Sequence, residues 1–132
     1  MISRLTPNLI VDSIEEQLDF WVRALGFEIE TTVPQGDSLG FAILKHGNVE
    51  LMLQSRDSVA EDVPNLAEGA YRTALFLEVD NLDELASRVA SFESVCERRK
   101  TFYGADEVIV FDPAGNVVTL AQFDQSTSQS TS

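Results

Sequence analysis

Cysteine is nearly absent: Cys96 is the only one in 132 residues. No intramolecular disulfide can form, and a reducing compartment, the cytoplasm by default, is the expected location. Histidine is equally scarce, with His46 alone. A single chain therefore cannot supply the two histidines and one carboxylate of a mononuclear iron oxygenase. No run of about 18 apolar residues occurs, so no membrane-spanning helix is expected. The opening stretch MISRLTPNLIVD has an apolar run that ends at Asp12 and is too short to be expected to act as a signal peptide. Positive charge is also in short supply, with 9 Lys plus Arg against 22 Asp plus Glu and a net charge of −13. A field of that sign repels nucleic acid and anionic membrane and favours a cationic ligand, although solubility alone also accounts for it.

What is present is a chain that is 44% hydrophobic, enough for the core of one domain. Residues 5–11 read as a strand. Ser13 and Glu16 form a capping box, and Ile14, Leu18, Trp21, Val22 and Leu25 follow at helical spacing until Gly26 stops the helix. Residues 27–33, 39–45 and 48–54 read as three strands, the last two joined by a hairpin at His46-Gly47. Residues 56–70 have no clear period and read as a linker with a short helical turn near 66–68. A second strand–helix–three-strand series follows: 72–79, a helix opened by Asn81 and Glu84 with Leu82, Leu85, Val89 and Phe92 as its stripe, then 95–101, 107–111 and 116–123. Trp21 reads as core, His46 as a turn residue, Cys96 as a small packing residue and Arg98-Arg99-Lys100 as a rim cluster offsetting nearby acid. The Ser/Thr/Gln-rich tail, 124–132, is expected to be disordered.

The two halves echo each other. Val11-Asp12 recurs as Val79-Asp80, and Gly47-Asn48-Val49 recurs as Gly115-Asn116-Val117, both 68 positions on. Agreement of that offset with the order of elements implies an internal duplication. The expected class is α+β: two tandem βαβββ modules in one domain, 1–123, with module one at about 1–55 and module two at about 71–123.

Three segments carry a family resemblance. They are Leu9-Ile10-Val11-Asp12 followed by residues 18–27, LDFWVRALGF; residues 75–80, LFLEVD; and residues 111–116, FDPAGN. In this order they resemble the vicinal-oxygen-chelate superfamily of glyoxalases, bleomycin resistance proteins and dioxygenases. The resemblance covers roughly residues 4 to 123. It implies that the modules form a curled, half-open sheet with a concave ligand cavity, and that the chain pairs as a homodimer. Metal-dependent members place ligands on the first and last strands of each module. Carried over, those positions are Thr6, Glu50, Ala74 and Thr119, with Val118 as the alternative to Thr119 if the repeat is gapless. Of these only Glu50 is a good metal ligand, so no metal and no cofactor are expected.

Alternation along the strands then places Thr6, Asn8, Glu50, Met52, Phe76, Glu78 and Thr119 on the cavity face as the expected ligand-binding set. Glu50, between apolar neighbours in its strand, is the candidate catalytic residue as well as the main polar anchor. A carboxylate in a partly apolar cavity is desolvated unless it meets a cation, and could hold a ligand ammonium or act as a general base. A strand glutamate that is solvated or paired with an arginine is the plainer alternative. Beside a non-catalytic interaction module, two functions follow. One is a metal-free protein that binds or sequesters a small, cationic molecule in a cavity at a dimer interface, as in bleomycin resistance. The other is an enzyme of the same fold, a lyase, isomerase or dioxygenase, acting through Glu50 or an atypical metal site. The expected partners are a small-molecule ligand and a second copy of the chain, with no nucleic acid and no membrane.

Overall fold

A computed structural model describes residues 1–124; the tail expected to be disordered lies, beyond Asp124, outside the described residues. The chain divides into two compact units, Met1–Tyr71 and the part that starts at Arg72. Each carries a mixed four-stranded sheet with helical segments, so the class is α+β.

In the first unit, β1 (Asn8–Val11) leads into α1 (Ile14–Leu18), which continues through wider helical turns over Asp19–Ala24. The Ser13 hydroxyl accepts from the Glu16 N–H, closing the first turn as the capping pattern requires. Then β2 (Glu28–Gln35), β3 (Ser38–His46) and β4 (Val49–Ser55) complete a sheet of order β1-β4-β3-β2. β1 runs parallel to β4 and the other pairs are antiparallel. Ala42, Leu44, Leu51 and Leu53 are buried on one face of this sheet, and Ile14, Phe20, Trp21 and Ala24 are buried on the helix. Each such large side chain stabilises the unit by roughly 1.5–3 kcal/mol on burial. Trp21 is core, as its spacing implies, and its indole N–H donates to Gln17 Oε1 at 3.0 Å, so the buried polar pair is satisfied.

The stretch 56–70 is more ordered than a linker. Ser55 caps α2 (Arg56–Asp62) by accepting from the Ser58 N–H, and a single tight turn follows at Pro64–Leu66. Arg56 donates to the carbonyls of Ala67 and Gly69 at 2.7 and 2.6 Å and pairs with Asp12, pinning the segment to its own unit. Only Val59 of α2 is buried, so the helix rests on its cap and on Arg56 rather than on a hydrophobic stripe.

The second unit repeats the plan with β5 (Ala74–Glu78), α3 (Leu82–Arg88), β6 (Arg99–Lys100), β7 (Ala105–Phe111) and β8 (Val117–Phe123), in the order β5-β8-β7-β6. Again the first and last strands are parallel. The turns that precede β4 and β8 both rest on a glycine with positive φ, Gly47 at 59° and Gly115 at 87°, one repeat apart. Two local expectations change. The strand expected over 95–101 shrinks to Arg99–Lys100 plus one bridge between Ser94 and Val110. The first N–H of α3 is capped from outside the helix, by Gln122 Oε1 of β8 at 2.9 Å, while the Asn81 side chain bonds to Glu84 instead. Cys96, expected to pack, is exposed.

Asp112 and Asn116 explain the FDPAGN segment. Asp112 Oδ1 accepts from the N–H groups of Ala114 and Asn116, Asn116 Nδ2 donates to Asp112 Oδ2, and Asn116 Oδ1 accepts from the Thr73 N–H. Both residues are buried. The motif closes the turn between β7 and β8 and ties it to the start of β5, a structural role with no surface left for chemistry.

Candidate functional site

Each sheet has one face buried under helix; the other face is open in the first unit and partly covered in the second, where Ala105, Glu107 and Ala121 are buried. In the first unit the alternation on β4 buries Leu51 and Leu53 and leaves Glu50, Met52 and Gln54 on the open face. On β1 it buries Leu9 and Val11 and leaves Asn8 and Ile10 there. Asn8 lies across from Met52, and its amide donates to Gln54 Oε1 at 3.1 Å.

Thr6 precedes β1 and reaches Glu50, its hydroxyl 3.5 Å from Oε1. Glu50 Oε2 lies 3.7 Å from both Arg4 and Lys45, and the Glu50 side chain is only 18% exposed. Lys45 also pairs with Glu30 at 2.7 Å, which with Glu50 raises the Lys45 pKa above its ordinary value. These groups line a cleft of about 220 Å³ that also takes in Leu5 and the turn Gly47-Asn48-Val49. The plainer expectation for Glu50, a strand glutamate paired with cations, therefore describes its surroundings here. His46 is exposed at the end of β3, its ring 5.5 Å from that of Phe27, and does not line the cleft.

In the second unit Val118 and Leu120 are fully buried, whereas Val117 and Thr119 are half-buried on the other face. Thr119 rather than Val118 thus belongs to the open face. Its neighbour across the parallel ladder is Phe76, and Ala74 lies across from Val117. The ladder is one residue out of step with the first unit, where Asn8 meets Met52, and this is why the gapless repeat misplaces the last strand. Phe76 is 54% exposed and Glu78 shares its face.

The residues do not fit a divalent cation. In the first unit Glu50 faces two cations, which repel a metal, and its other neighbour is a threonine hydroxyl. In the second, Ala74 and Val117 have no donor. Among the described residues no group of three or more His, Cys, Asp and Glu side chains could hold a metal ion.

Glu107 escaped the sequence reading. It lies on β7 across from Ala121, on the open face, with a side chain only 1% exposed. Arg99 donates to its Oε1 from Nε and Nη2 at 3.2 and 3.1 Å, and the Tyr103 hydroxyl donates to Oε2. That bond raises the Tyr103 pKa above its ordinary value. The one hint in the sequence is the spacing of a basic residue, Arg99, and an acid, Glu107, on two strands expected to pair.

The model of the Glyoxalase/Bleomycin resistance protein/Dioxygenase superfamily matches residues 2–120, and the chain belongs to that superfamily. No curated protein matches. Among solved structures, lactoylglutathione lyase from Agrobacterium tumefaciens is 19% identical with a TM-score of 0.71, over 92% of this chain and 94% of that one. The fosfomycin resistance protein of Listeria monocytogenes is 14% identical with a TM-score of 0.73, over 96% and 98%. An antibiotic-binding protein from a Streptomyces strain is 21% identical with a TM-score of 0.67, over 93% and 98%. At these identities the likeness is one of fold.

Proposed function

We propose that the chain binds a small organic molecule against the open faces of its sheets, without a metal ion, with Glu50 as the main polar anchor. The observation that carries this reading is the convergence of Arg4, Thr6, Lys45 and Glu50 on one cleft, in a family whose fold serves an antibiotic-binding protein. Glu50 is held in place by packing on one side, where Leu51 and Leu53 are buried, and by two cations on the other. A cationic ligand drawn by the net charge of −13 takes the place of Lys45 or Arg4 at the carboxylate. Lys45 keeps Glu30 as a partner when displaced, so the exchange strands no charge. Thr6, Asn8 and Met52 complete this part of the surface; Phe76, Glu78 and Thr119 are the corresponding set in the second unit.

The protein is proposed to act in the cytoplasm as a homodimer. β2, exposed along nearly all of its eight residues with Ile29 and Val33 uncovered, is an edge that a second copy would protect. A sedimentation coefficient of a monomer at micromolar concentration would contradict the dimer. The enzymatic reading, with Glu50 as general base, is weaker, because the cation contacts occupy an oxygen that would have to reach a substrate proton.

Calorimetric titration with metal-free bleomycin as the cationic probe, and with fosfomycin as the anionic one, tests the proposal. Bleomycin is expected to bind, and Glu50→Gln to weaken it about tenfold or more, as loss of a charge-assisted hydrogen bond does. Unchanged affinity in the variant, or a preference for fosfomycin, would remove Glu50 from the role of cation anchor.

A further inference from the structure

The Arg99–Glu107–Tyr103 group takes no part in the Glu50 cleft. Glu107 is the most buried ionisable side chain on the second unit's open face, and both of its oxygens are used. Removing a carboxylate and part of a guanidinium from water is costly, and an apolar side chain at 107 would fill the space over Ala121 without that cost. Arg99 and Glu107 face each other across the two-residue ladder of β6 on β7, so the pair also helps to hold that strand. What the arrangement yields is a phenol fixed in one orientation. Its proton is committed to Glu107, and its oxygen keeps lone-pair capacity for an incoming donor. Thr101 beside it pulls the Tyr103 pKa the other way but spends its own hydroxyl proton on the Ala105 carbonyl at 3.3 Å.

Beside this oxygen runs a line of aromatic rings. Tyr103 lies 6.0 Å from Phe123, and Phe123 lies 6.3 Å from Phe76. Tyr103 is 37% exposed and Phe76 54% exposed. Single exposed aromatics are common, but rings in contact along one sheet face, ending at a fixed polar atom, make a surface for a flat ligand with one matching group.

We infer that Tyr103, positioned by Glu107 and Arg99, is a ligand-binding residue that accepts a hydrogen bond from an aromatic hydroxyl or N–H, while Phe76 and Phe123 take the ring that carries it. This deepens the reading that open sheet faces hold the ligand: it names the ligand class, an aromatic compound bearing a hydrogen-bond donor, and rests on residues other than Glu50.

Two fluorescent probes that differ only at the donor test it on the full chain: umbelliferone, a hydroxycoumarin, and herniarin, its methyl ether, in buffer acidic enough to keep the phenol neutral. Umbelliferone is expected to bind about fivefold more tightly, the ratio that one neutral hydrogen bond supports. Tyr103→Phe abolishes the preference and leaves herniarin unchanged; Phe76→Ala weakens both probes. If Tyr103→Phe fails to fold because Glu107 loses a partner, the double variant Tyr103→Phe/Glu107→Gln replaces it with the same expectation. Glu107→Gln by itself has a second readout. In a Tyr71→Phe background Tyr103 is the one tyrosine left of two, so ultraviolet titration reads it directly, and Glu107→Gln brings it back towards the ordinary phenol range. Equal affinity for the two probes, no binding of either, or a preference that survives Tyr103→Phe overturns the inference. A preference that follows Glu50 and ignores Tyr103 sinks this inference while leaving the first-unit cleft standing.

Discussion

Arg98 holds two carboxylates at once, Asp83 at the start of α3 and Asp106 on β7, each at 2.8 Å. The guanidinium hydrogen bond keeps the Asp106 carboxyl below the usual carboxylate range, and the partial burial of the group only partly opposes it. A depressed folded-state value contributes stability that is present above the unfolded value, about 3.9, and lost as pH falls through the folded one. Asp106→Asn is therefore expected to lower the free energy of unfolding at neutral pH, by less than about 1 kcal/mol for so accessible a pair. The gap to wild type should close on acidification below about pH 3.9; a gap that stays constant into acid would mean that the pair is not its source. Side chains of this kind divide by how local their evidence is. Ser13 and Trp21 stand out from their own neighbours in sequence, by capping pattern and helical spacing, and Glu50 by the position that the family resemblance carries over. Glu107 does not, since nothing in GADEVIVF separates it from a solvated strand acid until Arg99 and Tyr103 are brought over it by the loop between β6 and β7. The Gln122 cap of α3 is hidden for the same reason: its donor is 40 residues away.

Strands and turns carry the duplication. Both units order their strands first-last-third-second, and both enter the last strand through a glycine at positive φ. A Cβ at Gly115 meets Arg72 Nε at 3.2 Å, a flexible side chain that can yield, so the backbone conformation dominates the cost of substitution. Gly115→Ala is expected to lose about 1–2 kcal/mol of stability, measurable by urea denaturation; a loss indistinguishable from zero would show that the turn can relax. Element order, the two hairpins and the helix stripes were legible because period and turn chemistry are local. The register of β5 on β8 was not, because a one-residue slip between repeats leaves no mark in composition yet exchanges the two faces of a strand. The helix over Arg56–Asp62 was missed because it buries only Val59, leaving no apolar period to read.

At the scale of the whole molecule, charge and fold point the same way. The superfamily fold offers open sheet faces, and the net charge of −13 biases what approaches them. Thr6 and a salt-bridged Glu50 in the first unit, and Ala74 facing Val117 in the second, offer one carboxylate between them, too few donors for a cation of high charge density. The family was legible from three segments; its use in this chain was not, because the residues that decide it are spread over strands whose pairing only the fold supplies. The most direct test is to titrate metal-free bleomycin into protein dialysed against a strong chelator and into untreated protein, in parallel by calorimetry. The account predicts the same affinity in both, with Glu50→Gln weakened equally in both. Binding that vanishes on chelation and returns with one equivalent of a divalent metal, but not in Glu50→Gln, would contradict it.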